Sequence, residues 1–291
     1  KRYEQRALAE DDMEERLFGI ADHYAKGLGE TPDEDEKLHI QKILLRAAKR
    51  CGLVSAFDTA ARYLELLLSQ PEIQGDKSRS FLIQVYKEYH AVLCNMVNVK
   101  ECDRIYRVLC GMVKNPEELA DSCCLHITSL SNRGQYQDAF ELGIGLLDQL
   151  GVPFTGEDME QTLNRETELF YQELEALGED HILSKEQAED PREFIISKLL
   201  NRLCAPGLFF NPLYSFWTIL TAARRIFHYG YTPYGLQMYS NLMMPLGELC
   251  GDYQTAYAAG RSAMRLAEKH QYREVIHSIY CMFALHTGHW F

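Results

Sequence analysis

The sequence predicts an all-α chain of tandem antiparallel helix hairpins stacked as a solenoid, and three observations predict it. Apolar residues recur at spacings of three and four along most of the chain, and strand-like alternation is absent over any useful length. A helix-start signal of one form, an N-cap residue followed by proline, recurs at several places. A short motif built on a glycine, a tyrosine and an alanine appears twice, with two looser copies upstream. Helix content is expected to exceed about 65%, against about a third in an average globular protein.

Residues 1–35 read as an N-terminal helix and linker, and the helical array is expected over residues 36–291. Thr31-Pro32-Asp33-Glu34 opens the array. Ile40, Ile43, Leu44, Ala47, Ala48 and Cys51 form one apolar stripe, and Phe57, Ala60, Ala61, Leu64, Leu67 and Leu68 form the next. Asn115-Pro116-Glu117-Glu118 and Asp190-Pro191-Arg192-Glu193 repeat the start signal. In each, proline sits where its missing N–H costs nothing. The acidic residue at the third helical position can close a capping box and meets the positive end of the helix dipole. Gly52, Gly134 and Gly251 fall between stripes, where helix C-terminal glycines are expected.

Two of those glycines open the repeat. Gly134-Gln135-Tyr136-Gln137-Asp138-Ala139-Phe140 is followed by Gly143, and Gly251-Asp252-Tyr253-Gln254-Thr255-Ala256-Tyr257 by Gly260. Looser copies run through Phe57, Ala60, Leu64 and Leu67, and through Val99, Cys102, Tyr106 and Leu109. The anchors Ala60, Cys102, Ala139 and Ala256 are separated by 42, 37 and 117 residues, the last being three periods of 39, so two further units are expected between Leu150 and Ala256. A small anchor lets two helix backbones approach, and the aromatic three residues earlier fills the groove beside it. One hairpin cannot bury both faces, so neighbours must stack. The pattern resembles tetratricopeptide-like (TPR-like) helix hairpins, with a period near 40 rather than the usual value of about 34.

The C-terminal part carries a second resemblance. Tyr231-Thr232-Pro233-Tyr234-Gly235, Gly251-Asp252-Tyr253, and Gly260-Arg261 with Met264-Arg265-Leu266-Ala267 resemble the helical segment of large multidomain signalling proteins. In those proteins the segment follows an AAA/STAND-type ATPase module, often alongside GAF, histidine-kinase, cyclase or protein-kinase domains. Tyr136, Ala139 and Leu150-Gly151-Val152-Pro153 resemble an earlier part of the same segment. The resemblance spans residues 36–290. It implies a sensor or transducer arm and supplies no active-site residue.

Composition excludes several classes of partner. The net charge is −12 and no Lys/Arg run exceeds two residues, so nucleic acid and anionic membrane are not expected partners. The acidity is concentrated: residues 157–193 hold 13 acidic side chains against three basic ones. This diverged insert, at about 154–193, reads as a solvated helix face or as a docking surface for a basic partner. Nine cysteines without a CxxC pair suit a reducing, cytoplasmic setting, with Cys94, Cys102, Cys110 and Cys250 on apolar stripes. No apolar run approaches the roughly 18 residues of a membrane span. The chain begins at Lys1 and stops at Trp290-Phe291 within a helical pattern, and is expected to be a piece of a longer polypeptide.

No catalytic, cofactor or metal residue is expected. Gly75-Asp76-Lys77-Ser78 lacks the first glycine and the Gly-Lys pair of a phosphate-cradling loop. His286 with His289 offers only two ligands, and Cys123, Cys124 and His126 lack the spacing of a zinc framework. Glu168, Glu173 and Glu175 need no catalytic explanation on a polar helix. One stretch, 208–244, is rich in aromatic residues and methionine, types favoured at interfaces as well as in cores. It reads either as helix packing or as a partner groove. On the second reading the contacts are Arg224, Arg225, Tyr234, Gln237, Met238 and Asn241. The function expected is a non-catalytic interaction scaffold or transducer arm of an intracellular signalling ATPase or kinase, binding a protein, a peptide or neighbouring domains. The alternative is a regulatory helical piece of an enzyme whose active site lies outside this chain.

Overall fold

In a computed structural model the described residues are 10–27, 34–70, 79–154, 158–178 and 181–287. The helix start at Thr31 to Asp33, the string Gly75 to Ser78, and His289 to Phe291 lie outside them. The structure is 83% helical, above the 65% expected, with no strands among the described residues. Gln187 and Tyr231 make an isolated parallel bridge. The chain forms two compact units, Lys1–Lys114 and Asn115–Phe291.

The first unit holds α1 (Glu10–Gly27), α2 (Glu34–Leu53), α3 (Phe57–Leu68), α4 (Arg79–Asn95) and α5 (Val99–Met112). Each packs on its neighbour in sequence, α1 included. Leu44, Ala60, Leu64, Leu67, Val85, Ile105 and Leu109 are fully buried between them. Polar ties cross the helices. Arg62 and the Tyr63 hydroxyl each donate to Asp22 Oδ1 at 2.8 Å, fastening α3 to α1, and the Tyr89 hydroxyl donates to Glu65 Oε1 at 2.7 Å, fastening α4 to α3.

The second unit opens with the hairpin α6 (Pro116–Asn132) and α7 (Tyr136–Gln149). Next come α8 (Met159–Leu177), the single turn α9 (His181–Ser184), and the long pair α10 (Pro191–Phe210) and α11 (Pro212–Tyr229). A short α12 (Pro233–Tyr239) leads into a π-helical stretch, Met243–Cys250. α13 (Tyr253–Lys269) and α14 (Ile276–Met282) close the unit, and α14 runs into a π turn, Phe283–Thr287. α10 packs on both α6 and α7, while α8 steps aside and packs along α11. Between Leu150 and Ala256, where two further units were expected, lie α8, α9, the hairpin α10/α11, α12 and the π stretch. The α10–α11 joint is Asn211 alone, in extended backbone, whose side chain caps the Leu213 amide at 3.1 Å.

The turns that precede the four anchors share one geometry, and it explains the repeat. A left-handed residue ends the first helix, a capping residue follows, and the second helix starts. The left-handed residues are Ser55, Val97, Gly134 and Gly251, with φ of 60°, 56°, 73° and 67°. In the first three the next amide reaches five residues back: Ala56 to the Cys51 carbonyl, Asn98 to Leu93, and Gln135 to Leu130, at 2.9 to 3.1 Å. This is the Schellman closure. In the fourth, Asp252 reaches Leu246, one residue further, because that helix ends in π geometry. Each anchor sits five residues beyond the left-handed residue, and its amide closes the first turn of the second helix. Ala60 bonds Ala56 O, Cys102 bonds Asn98 O, Ala139 bonds Gln135 O and Ala256 bonds Asp252 O. Gly52, expected at such a turn, lies instead inside α2, and Ser55 takes the left-handed position.

All six packing positions singled out in the sequence are buried: Ala60, Cys102, Ala139, Gly143, Ala256 and Gly260. A Cβ on Gly143 would run into the Leu203 side chain of α10, and one on Gly260 into the Phe283 ring at 2.6 Å. Two proline starts behave as read, with Asn115 accepting from the Glu117 amide at 3.0 Å and Asp190 from the Arg192 amide at 2.8 Å. Glu193 does not fold back as a capping-box partner, because its carboxylate turns to Arg225 of α11.

Ala139→Leu and Ala256→Leu are each expected to overpack a hairpin and cost about 1–3 kcal/mol. Urea denaturation of the two variants checks this, and unchanged midpoints for both would show that the anchors do not govern helix approach.

Candidate functional site

The two features that the sequence offers separately to outside partners, the acidic insert and the Arg224-Arg225 pair, meet each other within the second unit. Both arginines lie on α11. Arg224 grips two carboxylates of α8: its Nε and Nη2 bond Glu173, the latter at 2.7 Å, and its Nη1 bonds Glu166 at 2.5 Å. Arg225 turns the other way and holds Glu193 of α10 through two nitrogens, Nε at 2.9 Å, with its guanidinium 4.7 Å from the centre of the Tyr229 ring. His228 Nε2 also lies 3.2 Å from Glu173. Two forked, charge-assisted contacts and a shared carboxylate thus bind α8 and α10 to α11.

These groups are mostly enclosed, with about a fifth of the Arg224 and Glu173 side chains exposed. Burial disfavours the charge on Glu173, but hydrogen bonds from Arg224 and His228 outweigh it and hold the carboxyl below its ordinary value. Burial likewise opposes the charge on Arg224, and its bonds to Glu173 and Glu166 outweigh that, holding its pKa above the usual arginine value. The arginine pair is therefore a structural clamp within the second unit.

The α12 face divides. Met238 is fully buried, its sulfur 3.5 Å from Asn201 Nδ2 of α10, and Asn241 is 5% exposed. These two belong to the core, which corrects their assignment to a groove. α12 is only two turns long before the chain passes into the π stretch, so most of its circumference is covered. Tyr234 and Gln237 keep partial exposure. Across 208–244 Phe216, Trp217, Phe227 and Tyr239 are buried, while Phe209 and Tyr229 are exposed, so helix packing accounts for much of the stretch. Cys110 and Cys250, expected on buried stripes, are exposed.

The clamp leaves a concave surface nearby. A cleft of ≈ 860 Å³ runs between the C-terminal half of α8 and the outer face of α13. Tyr171, Leu174 and Glu175 of α8 form one wall, Tyr257, Arg261 and Arg265 of α13 the other, and buried Tyr239 also lines it. The Tyr171 hydroxyl donates to Asp252 Oδ2 at 3.0 Å, joining α8 to the capping residue of α13, whose other oxygen caps the Thr255 amide. Arg261 lies 5.7 Å from the centre of the Tyr257 ring. The lining mixes aromatic, aliphatic and cationic groups, which suits a protein segment better than a small metabolite. Sequence reading missed this cleft because its two walls lie about 85 residues apart in the chain. The only local signal was the Arg261 to Arg265 spacing, which puts two cations on one helix face. In the first unit a smaller cleft of ≈ 430 Å³ opens between α2 and α4, with Lys42, Arg46 and Lys49 along it. Lys49 there is 3.5 Å from Glu88.

No helix among the described residues is long and apolar enough to cross a membrane. The chain is similar, at 20% identity, to hybrid signal transduction histidine kinase G of Dictyostelium discoideum. That similarity covers 87% of this chain and 8% of the kinase, so the chain spans under a tenth of the length of the curated relative it matches. No family model and no solved structure matches it.

The clamp sets two expectations. Arg224→Met should lower the stability of the chain by about 1.5–3 kcal/mol, the range for hydrogen bonds to charged groups, and lysine there should recover only part, since it cannot fork. Chemical denaturation measures both, and a loss below roughly 0.5 kcal/mol would place the pair among inert surface contacts. The pH dependence has a definite sign. A carboxyl depressed in the folded state stabilises fully above its ordinary value of 4.5 and loses that contribution as the pH falls through the lower folded value. The protection of α8 amides, taken relative to their intrinsic exchange rates at each pH, should therefore fall on acidification with a midpoint below 4.5 in the unmodified chain, and at a higher pH in Arg224→Met.

Proposed function

We propose that this chain is a non-catalytic docking and transducing arm of a cytoplasmic signalling protein, and that the α8–α13 cleft is where it receives a partner segment. The observation that carries the proposal is the cleft itself. It is a long concavity built by helices that a charged clamp holds in place, lined by side chains that recognise rather than react. The similarity to a histidine kinase supports the signalling context. The kinase chemistry named for that relative belongs to that relative, and in this proposal the present chain contributes recognition.

The proposed occupant is an extended protein segment carrying apolar and acidic side chains, from a neighbouring domain or a separate partner. Arg261 and Arg265 stand exposed in a chain of net charge −12, so a carboxylate finds its attraction here while the acidic surroundings repel it elsewhere. Tyr257 and Leu174 offer the apolar contact. The TPR-like and ATPase-associated character read from the sequence belongs to the same proposal. No residue set that could cradle a nucleotide phosphate is part of it.

Two measurements test this reading. The purified chain should show no ATP turnover, and turnover that copurifies with the folded chain through successive columns would count against it. A photo-crosslinking side chain at Ser262, in cells expressing the chain, should capture one defined protein segment, and Arg265→Glu should remove that capture while leaving the circular dichroism spectrum unchanged. Equal capture from exposed Val97, or capture indifferent to Arg265→Glu, would reject the cleft as the docking place.

A further inference from the structure

We propose that His90, Cys94 and Cys102, in the hairpin of α4 and α5, form a binding site for a soft divalent cation, with Zn²⁺ as its ligand. The site lies in the first unit and does not depend on the cleft of the second. His90 and Cys94 are one helical turn apart on α4, so both project from one face. The left-handed turn at Val97 then brings the first turn of α5 back against that face and delivers Cys102. The three donor atoms all lie within 4.8 Å of one another.

The distances fit the metal. Zinc takes nitrogen at about 2.0–2.1 Å and thiolate sulfur at about 2.3 Å in tetrahedral geometry, which places a nitrogen and a sulfur about 3.6 Å apart and two sulfurs about 3.8 Å apart. Cys94 Sγ lies 3.6 Å from His90 Nε2, and 3.1 Å from Cys102 Sγ. The nitrogen–sulfur pair is thus already at its bound separation, and the two sulfurs need to part by only about 0.7 Å. A disulfide would use the two sulfurs and leave the imidazole without a role, whereas a cation uses all three donors at once. His90 is fully buried and Cys102 nearly so, which shields the site. Its ring is packed 5.3 Å from that of Tyr106, which limits the orientations open to the imidazole. Cys94 is half-buried and gives the entry side. Three protein donors leave the fourth position to water.

Binding is balanced by proton release: each thiol gives its proton to solvent as the thiolate takes the cation, and neutral His90 donates a lone pair. The full chain, reduced and freed of metal, is titrated with Co²⁺ as a spectroscopic stand-in and then with Zn²⁺. We expect one equivalent of Co²⁺ to give sulfur-to-cobalt charge-transfer absorption with tetrahedral ligand-field bands, and Zn²⁺ to abolish both. Cys94→Ser and Cys102→Ser should each remove the charge-transfer intensity or cut it by half or more, whereas Cys281→Ser, at an exposed thiol of the second unit, should leave it intact. In the unmodified chain Zn²⁺ should also protect Cys94 and Cys102 from alkylation, read by peptide mass, which keeps the test valid should a variant fail to fold. Absent bands, bands unaffected by Cys94→Ser, or isolation of a Cys94–Cys102 disulfide in a chain that takes no metal after reduction would each overturn the proposal.

Discussion

A helix hairpin has two apolar faces and can bury only one against itself, and the chain answers this constraint with a turn that fixes where the second helix begins. Once the left-handed residue and its Schellman bond are set, the anchor five residues on has no freedom of position. It lands where the helices cross, and it must be small. Ala60, Cys102, Ala139 and Ala256 are buried for that reason, and the outer faces they leave are covered by the next helix along.

Charge does in the second unit what apolar packing alone leaves undone. The helix α8 interrupts the succession of hairpins, and its polar, acidic face would gain little by burial. The Arg224 fork supplies the missing attraction, and the partial exclusion of water strengthens it. The same attachment decides where α8 ends relative to α13, so the cleft between them is a by-product of an ion pair. The function proposed for the chain thus rests on a contact that is itself internal.

Much of the fold was legible because its signals are local. Three-and-four spacing, the proline starts at Asn115 and Asp190, and the glycine-tyrosine-alanine motif each act within a few residues of where they are read. Two kinds of information were not local. Arg224 and Glu173 lie 51 residues apart, and nothing in either neighbourhood says that one will neutralise the other, so each was read as facing outward. Met238 and Asn241 look like an adaptable surface in one dimension and lie inward in three, because α10, α11 and α13 all close on α12. Gly52 misled for a different reason. A glycine near a helix end suggests the left-handed position, but the chain runs three residues further and places a serine there. The same limit hid the soft-ligand cluster: Cys94 and Cys102 read as packing residues until the Val97 turn folds them face to face.

The turns themselves differ in chemistry, and that difference reaches the order of folding. Gly134 and Gly251 enter the left-handed region at no steric cost, so their hairpins can close as soon as the local chain explores that conformation. Ser55 and the β-branched Val97 pay on the order of 1–2 kcal/mol to do the same. That cost is recovered only when α3 and α5 dock on the helices beside them. The hairpins that turn at Gly134 and Gly251 are therefore free to act as nuclei, while those that turn at Ser55 and Val97 are late and cooperative, forming when their neighbours are already in place.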